Sequence, residues 1–159
     1  MRSSVKKLFW VAAAALIVVA AVALLLHRND VPSLRLTDRE NGREYARFDL
    51  NENETFSITF IHSVNQSPVT DYYRREKDTF VLYATKFHAY GAGIPESWPE
   101  GAIVETSTDG IYVHNLHIPL SDFTYIVGTV SDHTLIIGNE SVSLRQLCGK
   151  NAEVLFTLK

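Results

Sequence analysis

Residues 55–75 read TFSITFIHSVNQSPVTDYYRR and contain the pattern that decides the fold. Apolar and polar side chains alternate before and after residues 65–68, whose composition, Asn-Gln-Ser-Pro, favours a turn. Alternation with a period of two is typical of strands that have one buried face. The segment is therefore predicted to form a β-hairpin.

The same alternation recurs along the rest of residues 27–159, with turns rich in Asn, Asp, Gly and Pro between the apolar segments. Strands are predicted at residues 34–37, 45–50, 55–63, 69–75, 79–86, 102–106, 111–114, 124–130, 134–137 and 154–158. No sustained helical period follows residue 26. Short strands that recur every ~8–12 residues predict an all-β fold, either an antiparallel β-sandwich or a partly open barrel.

Residues 8–26, LFWVAAAALIVVAAVALLL, contain no charge, amide, proline or glycine. At about 1.5 Å per residue the run is roughly 28 Å long, close to the roughly 30 Å hydrocarbon core of a bilayer. A cleaved secretory signal is the alternative, with residues 21–23, Ala-Val-Ala, as the cleavage box. The run exceeds the roughly 7–15 residues of such a signal, so an uncleaved transmembrane helix is favoured.

Charges beside this run predict its orientation. Arg2, Lys6 and Lys7 precede it, and the positive-inside rule therefore keeps residues 1–7 in the cytoplasm as a basic stub. Residues 27–159 are then an exported domain, and its short connection to the helix holds it near the membrane.

The composition of the exported domain excludes some classes of ligand. All 18 Asp and Glu residues lie in it, whereas three of the 15 Lys and Arg residues do not. An acidic domain lacks the basic field that nucleic acids and anionic lipid surfaces require. No Lys or Arg occurs between Lys86 and Arg145, which indicates a solvated acidic face or a surface for a cationic partner or metal ion. The only cysteine, Cys148, cannot form an internal disulfide and is predicted to be a small buried residue.

The hairpin also contains the first candidate site. If its loop is residues 65–68, His62 lies opposite Asp71 and Phe60 opposite Tyr73, all on one face. An aspartate so placed orients the imidazole and favours its protonated form, which suits anion binding or proton transfer. Alternatively, the pair only fixes the register of the hairpin.

Two other polar patterns argue against catalysis and metal binding. Ser63 follows His62, but adjacent strand residues face opposite ways and no Gly-x-Ser-x-Gly elbow occurs, so a catalytic triad is not predicted. His114 and His117 are three residues apart on a predicted strand and lack further ligands, so no metal site is predicted. His133 is predicted to be an ordinary turn residue.

A second candidate site lies in the loop of residues 88–99, which reads HAYGAGIPESWP. Gly91 and Gly93 permit positive φ angles and Pro95 stiffens the chain, so the loop is predicted to have a fixed shape. It lacks the lysine and the following helix of a phosphate-binding loop. Tyr90 and Trp98 either offer apolar surface to a ligand or partner or pack within a tight turn.

Three sequence segments, in this order, resemble a bacterial family known as domain of unknown function 1850. They are residues 60–64 (FIHSV), residues 67–71 (SPVTD) and residues 90–95 (YGAGIP), and the resemblance covers about residues 33–120. The acid of the family is usually a glutamate, and Asp71 is one methylene shorter. Members are typically small N-terminally anchored proteins encoded beside TAXI-type tripartite (TRAP) transporters.

The resemblance implies an accessory or coupling role in solute uptake, without a known reaction or cofactor. The expected location is the bacterial cytoplasmic (inner) membrane, with the domain in the periplasm or outside the cell. The expected partner is the integral membrane subunit of the transporter or its solute-binding protein. The expected binding residues are His62, Ser63, Asp71, Tyr73, Tyr90, Gly91, Gly93 and Pro95.

Two further hypotheses remain open at this point. The first is an exported module that binds a small carboxylate on protonated His62, with Arg74 or Arg75 nearby. The second is an enzyme in which His62 and Asp71 transfer a proton, although no nucleophile or cofactor motif supports it.

Overall fold

The computed structural model describes residues 10, 16–20, 22, 32–91 and 93–159. The chain divides into two compact units, Met1–Val31 and Pro32–Lys159. The described residues of the first unit are helical, and no helix among the described residues has the length and hydropathy needed to cross a membrane. The predicted stub lies outside the described residues, and so does most of the predicted transmembrane helix.

The second unit is all-β and consists of two antiparallel sheets in a sandwich-like arrangement, with no closed barrel in the part of the chain that the structure describes. The all-β prediction is confirmed. The strands are β1 (Ser33–Asp38), β2 (Glu44–Asp49), β3 (Thr55–Ile61), β4 (Pro68–Glu76), β5 (Thr79–Phe87), β6 (Ile103–Ser107), β7 (Gly110–Leu120), β8 (Asp122–Ile126), β9 (His133–Ile137), β10 (Glu140–Ser143) and β11 (Glu153–Leu158). A short helix, α1 (Leu144–Cys148), precedes β11.

The order of the strands places the predicted hairpin in the larger sheet. The four-stranded sheet has the order β2-β1-β11-β8, and the seven-stranded sheet has the order β10-β9-β3-β4-β5-β7-β6. Strands β3 and β4 therefore have neighbours on both sides, and their inward residues face the smaller sheet.

Aromatic side chains form the contact between the sheets. Phe56 and Tyr73 of the larger sheet are buried, and so is Phe156 of the smaller sheet. The Phe123 ring stacks on Tyr73 at 4.5 Å and on Phe156 at 4.9 Å. Burial of such a side chain contributes about 1.5–3 kcal/mol, so this aromatic layer holds the sheets together.

A second, smaller cluster lies under the loop between β5 and β6. Its buried members are Val69, Phe87, Val113 and Leu116. Ile94 and Trp98 of the loop pack against it. The loop therefore has an apolar base of its own.

Several element boundaries differ from the prediction. Strand β7 continues past residue 114 because Asn115 adopts a φ of 57°, which accommodates an irregularity in the register with β5. Strand β10 was not predicted because its sequence, Glu-Ser-Val-Ser, contains a single apolar residue, and helix α1 was not predicted because five residues are too few to show a helical period. Helix α1 begins where the Ser143 hydroxyl accepts a hydrogen bond from the Gln146 backbone N–H.

Candidate functional site

The register of the β3–β4 hairpin separates His62 from Asp71. Ile58 lies opposite Asp71, and Ile61 lies opposite Pro68. The loop is therefore residues 62–67, and the predicted pairing of His62 with Asp71 is wrong. The predicted face is right, because the pairing slipped by an even number of residues and Phe60, Asp71 and Tyr73 still point inward.

The His62 side chain explains why the loop begins earlier than predicted. Its Nδ1 accepts hydrogen bonds from the backbone N–H groups of Val64 and Asn65, each at 3.3 Å. The backbone of His62 closes the loop, because its N–H donates to Ser67 O at 2.8 Å and its carbonyl accepts from Gln66 N at 2.9 Å. These bonds satisfy backbone groups that a strand would have paired with a neighbouring strand.

Residues 62–67 and residues 88–91 and 93–98 form one structure, which we call the paired loops. Asn65 Nδ2 donates to the carbonyl of Ala89 at 3.0 Å. A Cβ on Gly91 would lie 2.9 Å from the Asn65 amide atoms, so only glycine permits this approach. Asn65, which lies between the first two segments of the family resemblance, thus holds the third segment close to the hairpin loop.

The two glycines of the second loop serve different purposes. Gly93 adopts a φ of 88° and lies beside the His62 ring, where a Cβ would come within 3.8 Å of Nε2. Gly91 is not among the residues with positive φ, so its small size matters rather than its conformational freedom. Sequence reasoning assigned the same conformational role to both.

The paired loops pack on a buried aromatic side chain and expose apolar side chains to solvent. The Tyr90 ring packs edge-on against buried Phe87 at 5.1 Å, and Trp98 stacks on the same ring at 6.2 Å. The upper surface exposes 65% of Val64 and 47% of Tyr90. Ser63, Gly93 and Pro95 are also exposed.

Asp71 and Tyr73, the other two predicted site residues, lie in the interior. Asp71 accepts hydrogen bonds from the Thr85 hydroxyl at 2.7 Å and from the Tyr125 hydroxyl at 2.5 Å. The Tyr73 and Tyr125 hydroxyls are 2.8 Å apart. Tyr125 belongs to β8 of the smaller sheet, so this network, which we call the inter-sheet network, connects the two sheets.

Burial dominates the electrostatics of the inter-sheet network. Burial raises the pKa of Asp71, and the hydrogen bonds from Tyr125 and Thr85 oppose that shift. Burial also raises the pKa values of Tyr73 and Tyr125, so both phenols are neutral donors near neutral pH. The inter-sheet network therefore stabilises the fold, and Asp71 does not orient the His62 ring.

The two arginines proposed to assist His62 lie at the opposite end of the hairpin. Arg74 pairs with Thr55 at the start of β3 and forms an ion pair with Glu76. Arg75 donates to the carbonyl of Leu50 at 2.8 Å. Neither residue can therefore supply a charge beside His62.

A cleft of about 460 Å³ lies between residues 62–66 and residues 128–131. Its walls include Phe60, Val130 and His133. His133 is 8% exposed, its ring stacks on Phe60 at 5.0 Å, and burial lowers its pKa. Sequence reasoning classed it as a turn residue, although its alternation with two buried residues of β9, Leu135 and Ile137, indicates an inward face.

The described residues contain no group of three or more His, Cys, Asp or Glu side chains suited to a metal ion. Cys148 is partly buried and packs against the main core. Burial raises the pKa of its thiol to about 11, which keeps the sulfur protonated and unreactive at neutral pH.

Comparison with known families gives a match to the central part of the chain. The model of the family described as Domain of unknown function (DUF1850) matches residues 56–144, more than half of the chain. The match spans β3 to the first residue of α1, so it includes the paired loops, the inter-sheet network and His133. No curated protein and no solved structure matches the chain.

Proposed function

We propose a function from the premise that this chain belongs to the family of the domain of unknown function 1850. The chain is a non-enzymatic accessory domain of a TAXI-type tripartite (TRAP) solute transporter. It docks on the membrane subunit or on the solute-binding protein through the paired loops. The resemblance to the family supports the choice of a transporter, and the geometry of the paired loops supports the choice of the docking surface.

The exposed apolar surface of the paired loops is the observation that carries this proposal. Val64 and Tyr90 are exposed although the segments beneath them are held by the Asn65 amide and by the Phe87 ring. A surface that is fixed before binding loses little conformational entropy when a partner covers it. Tyrosine is also among the residues that contribute most at protein interfaces.

The separation of His62 from Asp71 supports a non-enzymatic role. The enzyme hypothesis required His62 and Asp71 to lie together, and the hairpin register places Asp71 opposite Ile58 instead. Both carboxylate oxygens of Asp71 accept hydrogen bonds within the interior. A general base must reach its substrate, and this carboxylate does not.

The location of the domain is part of the proposal. The apolar sequence of residues 8–26 and the basic residues before it support a single-pass anchor in the bacterial cytoplasmic (inner) membrane, with the domain in the periplasm or outside the cell. After an alkaline carbonate wash the chain should remain in the membrane fraction. Protease added to spheroplasts should digest the domain, and its protection in intact spheroplasts would contradict the orientation.

Docking is tested by co-purification. The full chain, with an affinity tag, is co-expressed with the membrane subunit and the solute-binding protein of a TAXI-type transporter from the same genome, and is purified in detergent. We expect one of these two proteins to be recovered with it. Their absence from the purified sample, although both are expressed, would overturn the proposal.

Surface variants then locate the contact. Val64→Asp and Tyr90→Ala should each reduce recovery of the partner, because they change the exposed surface of the paired loops. Ile126→Asp is the matched control, since Ile126 is 61% exposed but lies at the end of β8. Equal losses in all three variants would show that the paired loops are not the contact.

A further inference from the structure

The cleft beside the paired loops lies at an open end of the sandwich interior. Phe60 of β3 is paired with His133 of β9, and both rings face inward. The Tyr125 ring lies 5.9 Å from Phe60 and 5.7 Å from His133, so the cleft adjoins the aromatic interior. Its volume of about 460 Å³ falls within the range of about 300–1,000 Å³ that is typical of small-molecule sites.

The lining of the cleft combines apolar walls with a few polar groups. Phe60, Ile61 and Val130 supply apolar surface, and Val130 is 87% exposed. Ser63 and Ser131 contribute hydroxyl groups. Such a lining suits a ligand that has an apolar body and one polar end.

His133 supplies a hydrogen-bond donor to this cleft. Its Nδ1 accepts a hydrogen bond from the Gly128 N–H at 3.4 Å, so the neutral ring carries its proton on Nε2. Within residues 32–91 and 93–159, no side chain or carbonyl accepts a hydrogen bond from Nε2. Nε2 retains contact with solvent, so a ligand oxygen in the cleft can accept its hydrogen bond.

The charges behind the cleft favour an anionic oxygen. The Arg145 guanidinium donates to the Gly128 carbonyl at 3.0 Å, which places a positive charge behind residues 128–131. The nearby Asp132 carboxylate is turned toward the protein, because it accepts from the backbone N–H groups of His133 and Arg145 and from the Ser143 hydroxyl. These three hydrogen bonds and the positive charge of Arg145 stabilise the Asp132 carboxylate.

We infer that this cleft binds a small monocarboxylate with an apolar body. The carboxylate accepts a hydrogen bond from His133 Nε2, and the apolar part lies against Phe60, Ile61 and Val130. The site differs from the carboxylate site expected from sequence, which relied on protonated His62 and on Arg74 or Arg75. The cleft shares the loop of residues 62–67 with the docking proposal, but the two exposed residues that carry that proposal, Val64 and Tyr90, do not line the cleft.

Isothermal titration calorimetry of the full chain in detergent tests the ligand class. The probes are hexanoate, butyrate and hexylamine, each also titrated into detergent alone. We expect hexanoate to bind with a Kd below about 1 mM, butyrate to bind more weakly, and hexylamine not to bind. No saturable binding of hexanoate, or equal binding of hexylamine, would overturn the inference.

Charge variants at the rim locate the site without disturbing the interior. Val130→Asp should weaken hexanoate binding roughly tenfold and Val130→Lys should strengthen it, because the introduced charge lies beside the carboxylate. Val64→Asp introduces the same charge on the neighbouring loop outside the cleft and should leave the affinity unchanged. His133→Phe keeps a ring against Phe60 but removes the donor, and should also weaken binding about tenfold.

The same variants separate this inference from the docking proposal. Val64→Asp should reduce recovery of the transporter protein and leave hexanoate affinity unchanged, whereas Val130→Asp should do the reverse. If neither Val130 variant changes hexanoate affinity, the cleft is not the site, whatever the result of co-purification. The Val130 pair decides the question even if His133→Phe does not fold, since Val130 is exposed.

Discussion

The inter-sheet network and the paired loops come from one hairpin, yet they differ in what their polar groups contact. Asp71 points into the interior, where Thr85 and Tyr125 satisfy its carboxylate. His62 lies where the chain leaves the sheet, and its Nδ1 holds the backbone of its own loop. Asp71 and His62 lie nine positions apart in one motif and therefore serve two purposes. Asp71 stabilises the fold, whereas His62 shapes a surface.

Within residues 56–144, we therefore expect the inter-sheet network to determine stability and the paired loops to determine binding. A buried network contributes because its loss leaves several polar groups without partners in a region of low dielectric constant. A surface loop with few buried contacts contributes less to the free energy of unfolding and more to recognition. Substitutions in the two regions should therefore change different measured quantities.

The largest effect is expected from Asp71→Ala. Removal of the carboxylate leaves the Thr85 and Tyr125 hydroxyls without their acceptor, and the free energy of unfolding should fall by about 3 kcal/mol in urea denaturation. Asp122→Ala is the control, because Asp122 is exposed, and should change stability by less than about 0.5 kcal/mol. Similar losses for the two variants would contradict the structural role of Asp71.

A graded loss is expected along the same network. Tyr125→Phe removes the hydroxyl that contacts both Asp71 and Tyr73. The free energy of unfolding, measured by urea denaturation, should fall by about 2 kcal/mol. Tyr73→Phe removes only the terminal hydroxyl and should cost about 1 kcal/mol. The reverse order would mean that Tyr125 does not connect the sheets in this way.

In the paired loops, Gly91→Ala should lower the free energy of unfolding by about 1–2 kcal/mol. The added Cβ of the alanine displaces the Asn65 amide from the Ala89 carbonyl. The double variant with Asn65→Ala provides the control. Once the amide is absent, Gly91→Ala should have little further effect on thermal stability, since Gly91 does not need a positive φ. Additive losses in the double variant would refute the contact.

The smallest effect is expected from the protonation of His133. Burial lowers the pKa of this residue in the folded state, so its contribution to stability is complete above the ordinary value of about 6.5 and is lost as the pH falls below it. The Tm of the wild type should therefore decrease between about pH 7 and pH 5.5 more steeply than that of His133→Phe. Parallel profiles would show that His133 is not buried in its neutral form.

Much of the architecture could be predicted from local pattern. Alternation located ten of the eleven strands and gave the all-β class, because a half-buried strand imposes a period of two. The same pattern placed Phe60, Asp71 and Tyr73 on one face correctly. The transmembrane helix predicted at residues 8–26 rests on sequence alone and stays a prediction.

The site could be predicted only in part. Motif resemblance identified His62, Gly91 and Gly93, which the structure brings together, but it grouped them with Asp71, which lies in the interior. His133 was missed as a candidate because nothing in its local sequence, Ser-Asp-His-Thr, shows that it stacks on Phe60 from another strand. The binding roles of these residues stay predictions until the variants are measured.

The sequence by itself determined the class of fold, the inward face of each strand of the hairpin and the family, since these depend on residue type and local period. Only the tertiary structure decided the register of the hairpin, the partner of Asp71 and the position of the cleft. The physical reason is that a slip by an even number of residues preserves every face, so alternation cannot select among such registers. The hydrogen bonds that do select one involve the His62 imidazole and a tyrosine from the opposite sheet, and they exist only after the chain has folded.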